Sequence, residues 1–206
     1  KEWDEKRKSE PEERQIKIEK TDVLSKKMEM VLTSNMHKLY PDFGINIPSK
    51  FDDIFKGADV TLFKQDKNMI SSVFSFDMFF QDDPETDLFW KRKLFKNISH
   101  VLNGSFSYIN YLKSNDVFTN VPNSPVFLLP VSRATLLQIL SDYRKNSGEM
   151  YTLESVKEQI NYCVYLQISL FRKLLKNSPE KKDTETLLNI LATIESNLKL
   201  IDERPQ

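Results

Sequence analysis

Two histidines, His37 and His100, and one cysteine, Cys163, are the residues from which nucleophilic chemistry would have to start. A relay in which imidazole activates a hydroxyl or thiol has to use one of those two rings. Neither lies beside a nucleophile-elbow sequence, and each reads as a polar helix residue. Cys163 sits in the apolar run YCVYLQISLF. It reads as a buried thiol with no basic neighbour to favour its thiolate. A single cysteine forms neither an internal disulfide nor a multi-cysteine metal site. Carboxylates cluster at Asp52-Asp53 and at Asp82, Asp83, Glu85 and Asp87. Oxygen-rich clusters hold magnesium or calcium, but the second one lacks the glycine and the spacing of a calcium loop. Asp83-Pro84-Glu85 has instead the form of a helix start, with an acid at the cap, proline in the first turn and acids at the positive end of the dipole. The four glycines, Gly44, Gly57, Gly104 and Gly148, are too scattered to cradle a phosphate. No catalytic residue, cofactor or metal site is expected.

The basic run WKRKLFK, residues 90–96, interleaves cations with aromatics. Such a run suits phosphate contact with base stacking. The chain has 30 basic and 30 acidic residues, however, so its neutral net charge supplies no field to draw in nucleic acid. Trp90 falls about a third of a turn off the apolar stripe of its helix. A tryptophan ringed by polar groups is the form that interface anchors take. Phe89, Trp90, Lys91, Arg92 and Lys93 are therefore the expected partner-binding residues.

These residues depend on the elements that position them. Residues 1–20 hold seven positive and seven negative charges, with Trp3, Ile16 and Ile18 as the large apolar residues. So little apolar surface predicts a loosely ordered lead-in, interrupted at Pro11. Residues 21–206 are expected to form a single helical domain. Leu24, Met28, Val31, Leu32 and Leu39 recur at helical spacing up to Tyr40-Pro41. Ser49 caps an expected second helix through Phe51, Ile54, Phe55 and Leu62. Alternation from Val73 to Phe80 predicts a strand with one apolar face made of Phe74, Phe76, Met78 and Phe80. The helix that starts at Pro84 turns Leu88, Leu94, Phe95, Ile98, Val101 and Leu102 to the core and ends at Asn103-Gly104.

SFSYINYLK reads as a further short helix, and NDVFTNVPNS as a loop. Val126–Leu129 forms a brief strand whose flanking prolines favour a sheet edge. Ser132 caps a helix to about Asn146. Thr152 caps the next, to Lys176, whose middle is apolar nearly all round and should be buried. Leu187, Leu191, Ile194, Leu198 and Ile201 make a heptad-like stripe for packing on that helix. The expected fold is mainly α, a bundle of about seven helices with a minor β element around residues 70–80 and 125–130.

IPSKFDDIFKGADVTLF and LFKNISHVLNGSFSYINYLK, with Ile47, Pro48, Lys50, Phe51, Phe95, Ile98, Phe106 and Leu112 as the matching positions, resemble the first winged helix of the geminin-binding replication-licensing factors. The resemblance implies a nucleic-acid-associated module. It requires residues 68–87 to be an insertion, and the basic residues of that family's third helix are absent here. No stretch reaches the ~20 apolar residues that span a bilayer, and no apolar leader follows Lys1. The absence of an initiating methionine reads as a piece of a longer protein. The expected role is a non-enzymatic protein–protein interaction or scaffold domain in a multi-subunit assembly of a eukaryotic cell. Its partner would be another protein and its compartment the nucleus or the cytoplasm.

Overall fold

The computed structural model describes residues 12–48, 58–66, 69–80, 84–114, 117–132, 152–177 and 183–198, with isolated positions between 134 and 141. The elements in chain order are α1 (Glu12–Leu39), β1 (Gly44–Asn46), β2 (Val60–Asp66), β3 (Met69–Phe80), α2 (Pro84–Leu102), β4 (Ser107–Ser114), β5 (Val117–Ser124), β6 (Val126–Val131), α3 (Thr152–Lys176) and α4 (Thr184–Asn197). This is a mixed α/β fold, not a seven-helix bundle. Residues 69–80 and 126–131 are strands as expected, but they belong to a four-stranded sheet of order β1-β2-β3-β6. β2 runs antiparallel to β1 and β3, and β6 runs parallel to β3.

Three misread segments explain the correction. Leu62, expected on a helix, lies in β2 opposite Phe74. SFSYINYLK and the loop after it are β4 and β5, an antiparallel pair. Tyr108, Ile109, Tyr111, Val117, Phe118 and Val121 all favour extended backbone, and a run this short fits either period. Pro122 is tolerated because β5 has a hydrogen-bonded neighbour on one side only. Phe106 and Leu112, two of the positions matched above to a winged helix, lie just before and within β4.

β3 alternates as expected, but both of its faces are buried. Phe74, Phe76 and Met78 face the main core with Val60 and Leu62 of β2 and Phe127, Leu129 and Val131 of β6. α1 adds Leu32, Met36 and Leu39 to this core, and α3 adds Val156, Ile160, Val164, Ile168, Phe171 and Leu175. α4 completes it with Leu187, Leu191, Ile194 and Leu198, most of the expected stripe; Ile201 lies outside the described residues. Rings run through the core in sequence. Tyr40 meets Phe43 edge-on at 6.1 Å, Phe43 meets Phe74 at 5.6 Å, Phe74 meets Phe127 at 6.0 Å, and Phe127 stacks on Phe171 at 6.4 Å. On the opposite face Phe63, Val73 and Ala58 pack with Ile109 and Leu112 of the β4–β5 pair.

Polar ties fix the helices. Tyr40 Oη donates to Asn161 Oδ1 at 2.8 Å, joining the end of α1 to α3, and burial pushes the Tyr40 phenol far above its ordinary pKa. Arg172 of α3 pairs with the buried Glu195 of α4 at 2.5 Å. Ser132 Oγ accepts from Thr135 N at 3.1 Å, the expected cap. Most of the helix it starts lies outside the described residues, as does the helix expected after Ser49.

The β6 edge is closed by side chains. Gln167 accepts from the N–H of Leu128 and donates to its carbonyl, both at 2.9 Å. Asn97 Nδ2 donates to the carbonyl of Val126 at 2.9 Å, and Pro130 has no N–H to offer. Leu128 is satisfied in both directions, the Val126 carbonyl is taken and Pro130 offers no N–H, so this edge is a poor template for another strand.

At the other edge Gly44 lies opposite Phe63, whose ring occupies the space a Cβ would need. Gly44→Ala should cost about 1–3 kcal/mol, because the buried ring has to move. A lowered melting temperature with an unchanged circular-dichroism spectrum checks this.

Candidate functional site

α2 presents two different faces. The inner one seats it on the sheet. Lys93 Nζ lies 2.6 Å from Asp77 Oδ1, Asn97 holds β6, and Val101 is 1% exposed in the main core. Trp90 is half-buried, its ring tilted against Phe79 at 6.4 Å. Of the five residues expected to bind a partner, Trp90 and Lys93 are thus used largely within the fold. Lys91 and Arg92 are exposed, and the side chain of Phe89 lies outside the described residues.

Beneath Lys93 lies a carboxyl pair that the sequence did not single out. β3 runs on to Phe80, beyond the start of β2 at Val60. The Met78 N–H donates to Asp59 Oδ2 at 2.5 Å, so this side chain continues the ladder where the strand stops. Asp77 is 4% exposed on the face of β3 that carries Ser75 and Phe79. Burial and the neighbouring Asp77 charge push the Asp59 carboxyl up to about 8. The Met78 hydrogen bond lowers it, Glu29 of α1 raises it further, and Lys93 lowers it slightly. At neutral pH Asp59 is therefore mostly protonated, while Lys93 pairs with Asp77. A half-buried acid with a raised pKa marks a candidate functional position and also a stored instability. One signal for half of it was available: Asp77 is the only charged residue in β3.

The outer face of α2 is the other unusual feature. Phe95 is 67% exposed and Leu102 is 37% exposed, although both were expected in the core. They lie seven residues apart, one above the other on the helix. Lys91, Arg92, Lys96 and Ser99 share this outer surface. α3, which packs against α2, carries a second exposed pair. Tyr162 is 54% exposed and Leu166 48%, so α3 is not apolar on all sides in the sense expected. Its inward residues repeat at three- and four-residue steps, and Tyr162 and Leu166 fall opposite them.

The remaining candidates stay apart. His37 is exposed near the end of α1. His100 borders a cavity of about 10 Å³ with Asn97, Phe106, Ser107, Val126 and Phe171, room for one water molecule at most. Ser105 Oγ turns to the carbonyl of His100, not to its imidazole. Cys163 is half-buried, and burial raises its thiol pKa, which disfavours the nucleophilic thiolate. Among the described residues no three His, Cys, Asp or Glu side chains form a group that could hold a metal ion. Asp52-Asp53 and Asp82-Asp83 lie outside the described residues, as do the side chains of Glu85 and Asp87. No helix among the described residues is long and apolar enough to cross a membrane. The chain matches no family model, no curated protein and no solved structure.

Proposed function

We propose that this chain is a non-enzymatic protein–protein interaction or scaffold domain of a larger intracellular protein, docking a partner within a multi-subunit assembly through the outer face of α2. One observation carries the reading. Phe95, Leu102, Tyr162 and Leu166 are large apolar side chains left exposed on two helices that pack on one another. Single exposed apolar residues need no explanation, but a pair stacked on one helix face, as Phe95 and Leu102 are, marks an interaction surface. Lys91 and Arg92 keep their place in the proposed surface, and Phe95 takes the anchoring role first given to Trp90. The sheet edge at β6 is closed, so docking by strand addition there is disfavoured, and helix-face docking is the mode that fits.

Full burial of a phenylalanine or leucine stabilises by roughly 1.5–3 kcal/mol. Phe95→Ala with Leu102→Ala should therefore weaken partner binding by more than tenfold, while the melting temperature changes little because both side chains already face water. Binding is followed by the mass of the native complex recovered from cells that make the protein. A complex of unchanged mass and stability with the double variant removes α2 as the docking face.

A further inference from the structure

We propose that the outer face of α3 is a self-association surface, on which a second copy of this chain docks with its own α3 running antiparallel. This contact is separate from the partner docking assigned to α2 and does not rest on it. Three groups lie in order along one side of the helix. Glu154 and Glu158 are exposed near its start, and Lys173 and Lys176 are exposed near its end. Between them lie Tyr162 and Leu166, 54% and 48% exposed, with half-buried Tyr165 and Leu170 at their flanks. At 100° per residue, Glu158, Tyr162, Leu166, Ser169 and Lys173 fall within an arc of about 80°, opposite buried Ile160 and Val164.

Acids at the start and bases at the end suit the helix dipole of a single copy. They also make the face its own complement. A two-fold axis between Tyr165 and Leu166 brings Glu158 of one copy to Lys173 of the other, and Glu154 toward Lys176, and each contact occurs twice. The apolar middle then closes on itself. Ser169, small and exposed, falls opposite Tyr162 and leaves room for its ring. Parallel pairing would set Glu158 against Glu158 and Lys173 against Lys173, so the same charges disfavour it. An unrelated partner would have to carry this pattern reversed, whereas a second copy carries it by symmetry. Net charge is zero, so no long-range repulsion keeps two copies apart. One pair of helix faces is smaller than the ~1,600 Å² of a standard interface, so the dimer should dissociate on dilution.

The test is sedimentation equilibrium of the purified whole chain from about 5 µM to about 500 µM, the range in which weak contacts form. The mass should rise from the 24.2 kDa of one chain toward twice that value. Leu166→Asp should raise the dissociation constant by more than about tenfold, because it sets two carboxylates beside the axis. Glu158→Lys alone and Lys173→Glu alone should each raise it about tenfold, since each turns two attractive contacts into two repulsive ones. An equimolar mixture of those two variants should associate within about threefold of wild type, because every such contact then pairs a lysine with a glutamate. No local effect on folding gives that recovery. All three substitutions lie at exposed positions, and melting curves at low concentration should match wild type. A mass that stays at one chain throughout, association indifferent to Leu166→Asp and to both charge reversals, or a mixture as weak as its components each overturns the proposal. If the chain stays monomeric while the native complex still depends on Phe95 and Leu102, the α2 reading stands and self-association falls. If the chain dimerises as described while the complex is indifferent to them, only the α2 reading falls.

Discussion

Ile160→Asp unfolds the domain, whereas Leu166→Asp leaves it folded. The two positions lie on the same helix, α3, in the same apolar run, and sequence alone places both in the interior. Ile160 is 6% exposed and belongs to the main core with Val156, Val164 and Phe171. A carboxylate there would sit among apolar side chains. It forfeits about 2–5 kcal/mol of apolar packing and adds several more for a buried unpaired charge. That total rivals the whole stability of an ordinary domain, about 5–15 kcal/mol. Leu166 is 48% exposed, so its substitution stays within roughly 1 kcal/mol. Circular-dichroism melts of the two variants separate these outcomes. Loss of cooperative melting in Leu166→Asp would mean that this face of α3 is covered, and the exposed pair on α3 would no longer count toward a docking surface.

Asp59→Asn stabilises the protein, and the gain depends on pH. The folded chain holds this carboxyl at about 8, against an ordinary value of 3.8. Below about pH 3 the group is protonated whether the chain is folded or not, and the substitution changes little. As pH rises toward 8, the unfolded state releases the proton and the folded state keeps it, so wild-type stability falls by up to about 1.4 kcal/mol per pH unit. Above 8 the folded carboxyl ionises too and the loss levels off. An amide at position 59 keeps the acceptor for the Met78 N–H and does not titrate. Its two donors lie near the Asp77 carboxylate. The variant should be about 4 kcal/mol more stable than wild type at pH 7 and within about 0.5 kcal/mol of it at pH 4, read from urea unfolding at both values. The groups around it are Asp77 on β3, Glu29 on α1 and Lys93 on α2, so the curve reports on this cluster as a unit. A difference that does not grow between pH 4 and pH 8 would show that Asp59 is ionised in the fold.

Some of this architecture was legible in the residues, and the reasons divide cleanly. Long or capped elements read well. The end of α1 at Tyr40-Pro41, the start of α2 at Pro84, the Ser132 cap and the Leu187-Leu191-Ile194-Leu198 stripe follow from local chemistry. Short segments did not. SFSYINYLK offers apolar residues at both two- and four-residue steps, and pairing with β5 decides between them. That pairing is a contact between β4 and a partner strand, which no local window contains. The faces of α2 and α3 were misjudged for a related reason. Phe95 and Leu166 are apolar, and hydrophobicity by itself does not tell a buried side chain from one kept exposed. Trp90 was singled out for lying off the stripe, yet Phe79 on the sheet receives it. Asp77 stood out as the charged residue of β3, but its pairing with Asp59 was not legible, because the two are 18 residues apart and meet only when β2 and β3 align.

The central claim is that a partner covers Phe95. The most direct measurement places a photo-crosslinking amino acid at position 95, with a second at Tyr162 and a third at exposed His37 as a control, in the native complex. Irradiation should join position 95 to a protein partner, and replacing Leu102 with Ala should reduce that product. Position 37 should give none. Equal products from positions 95 and 37, or none from 95 in a complex that remains assembled, would contradict the account.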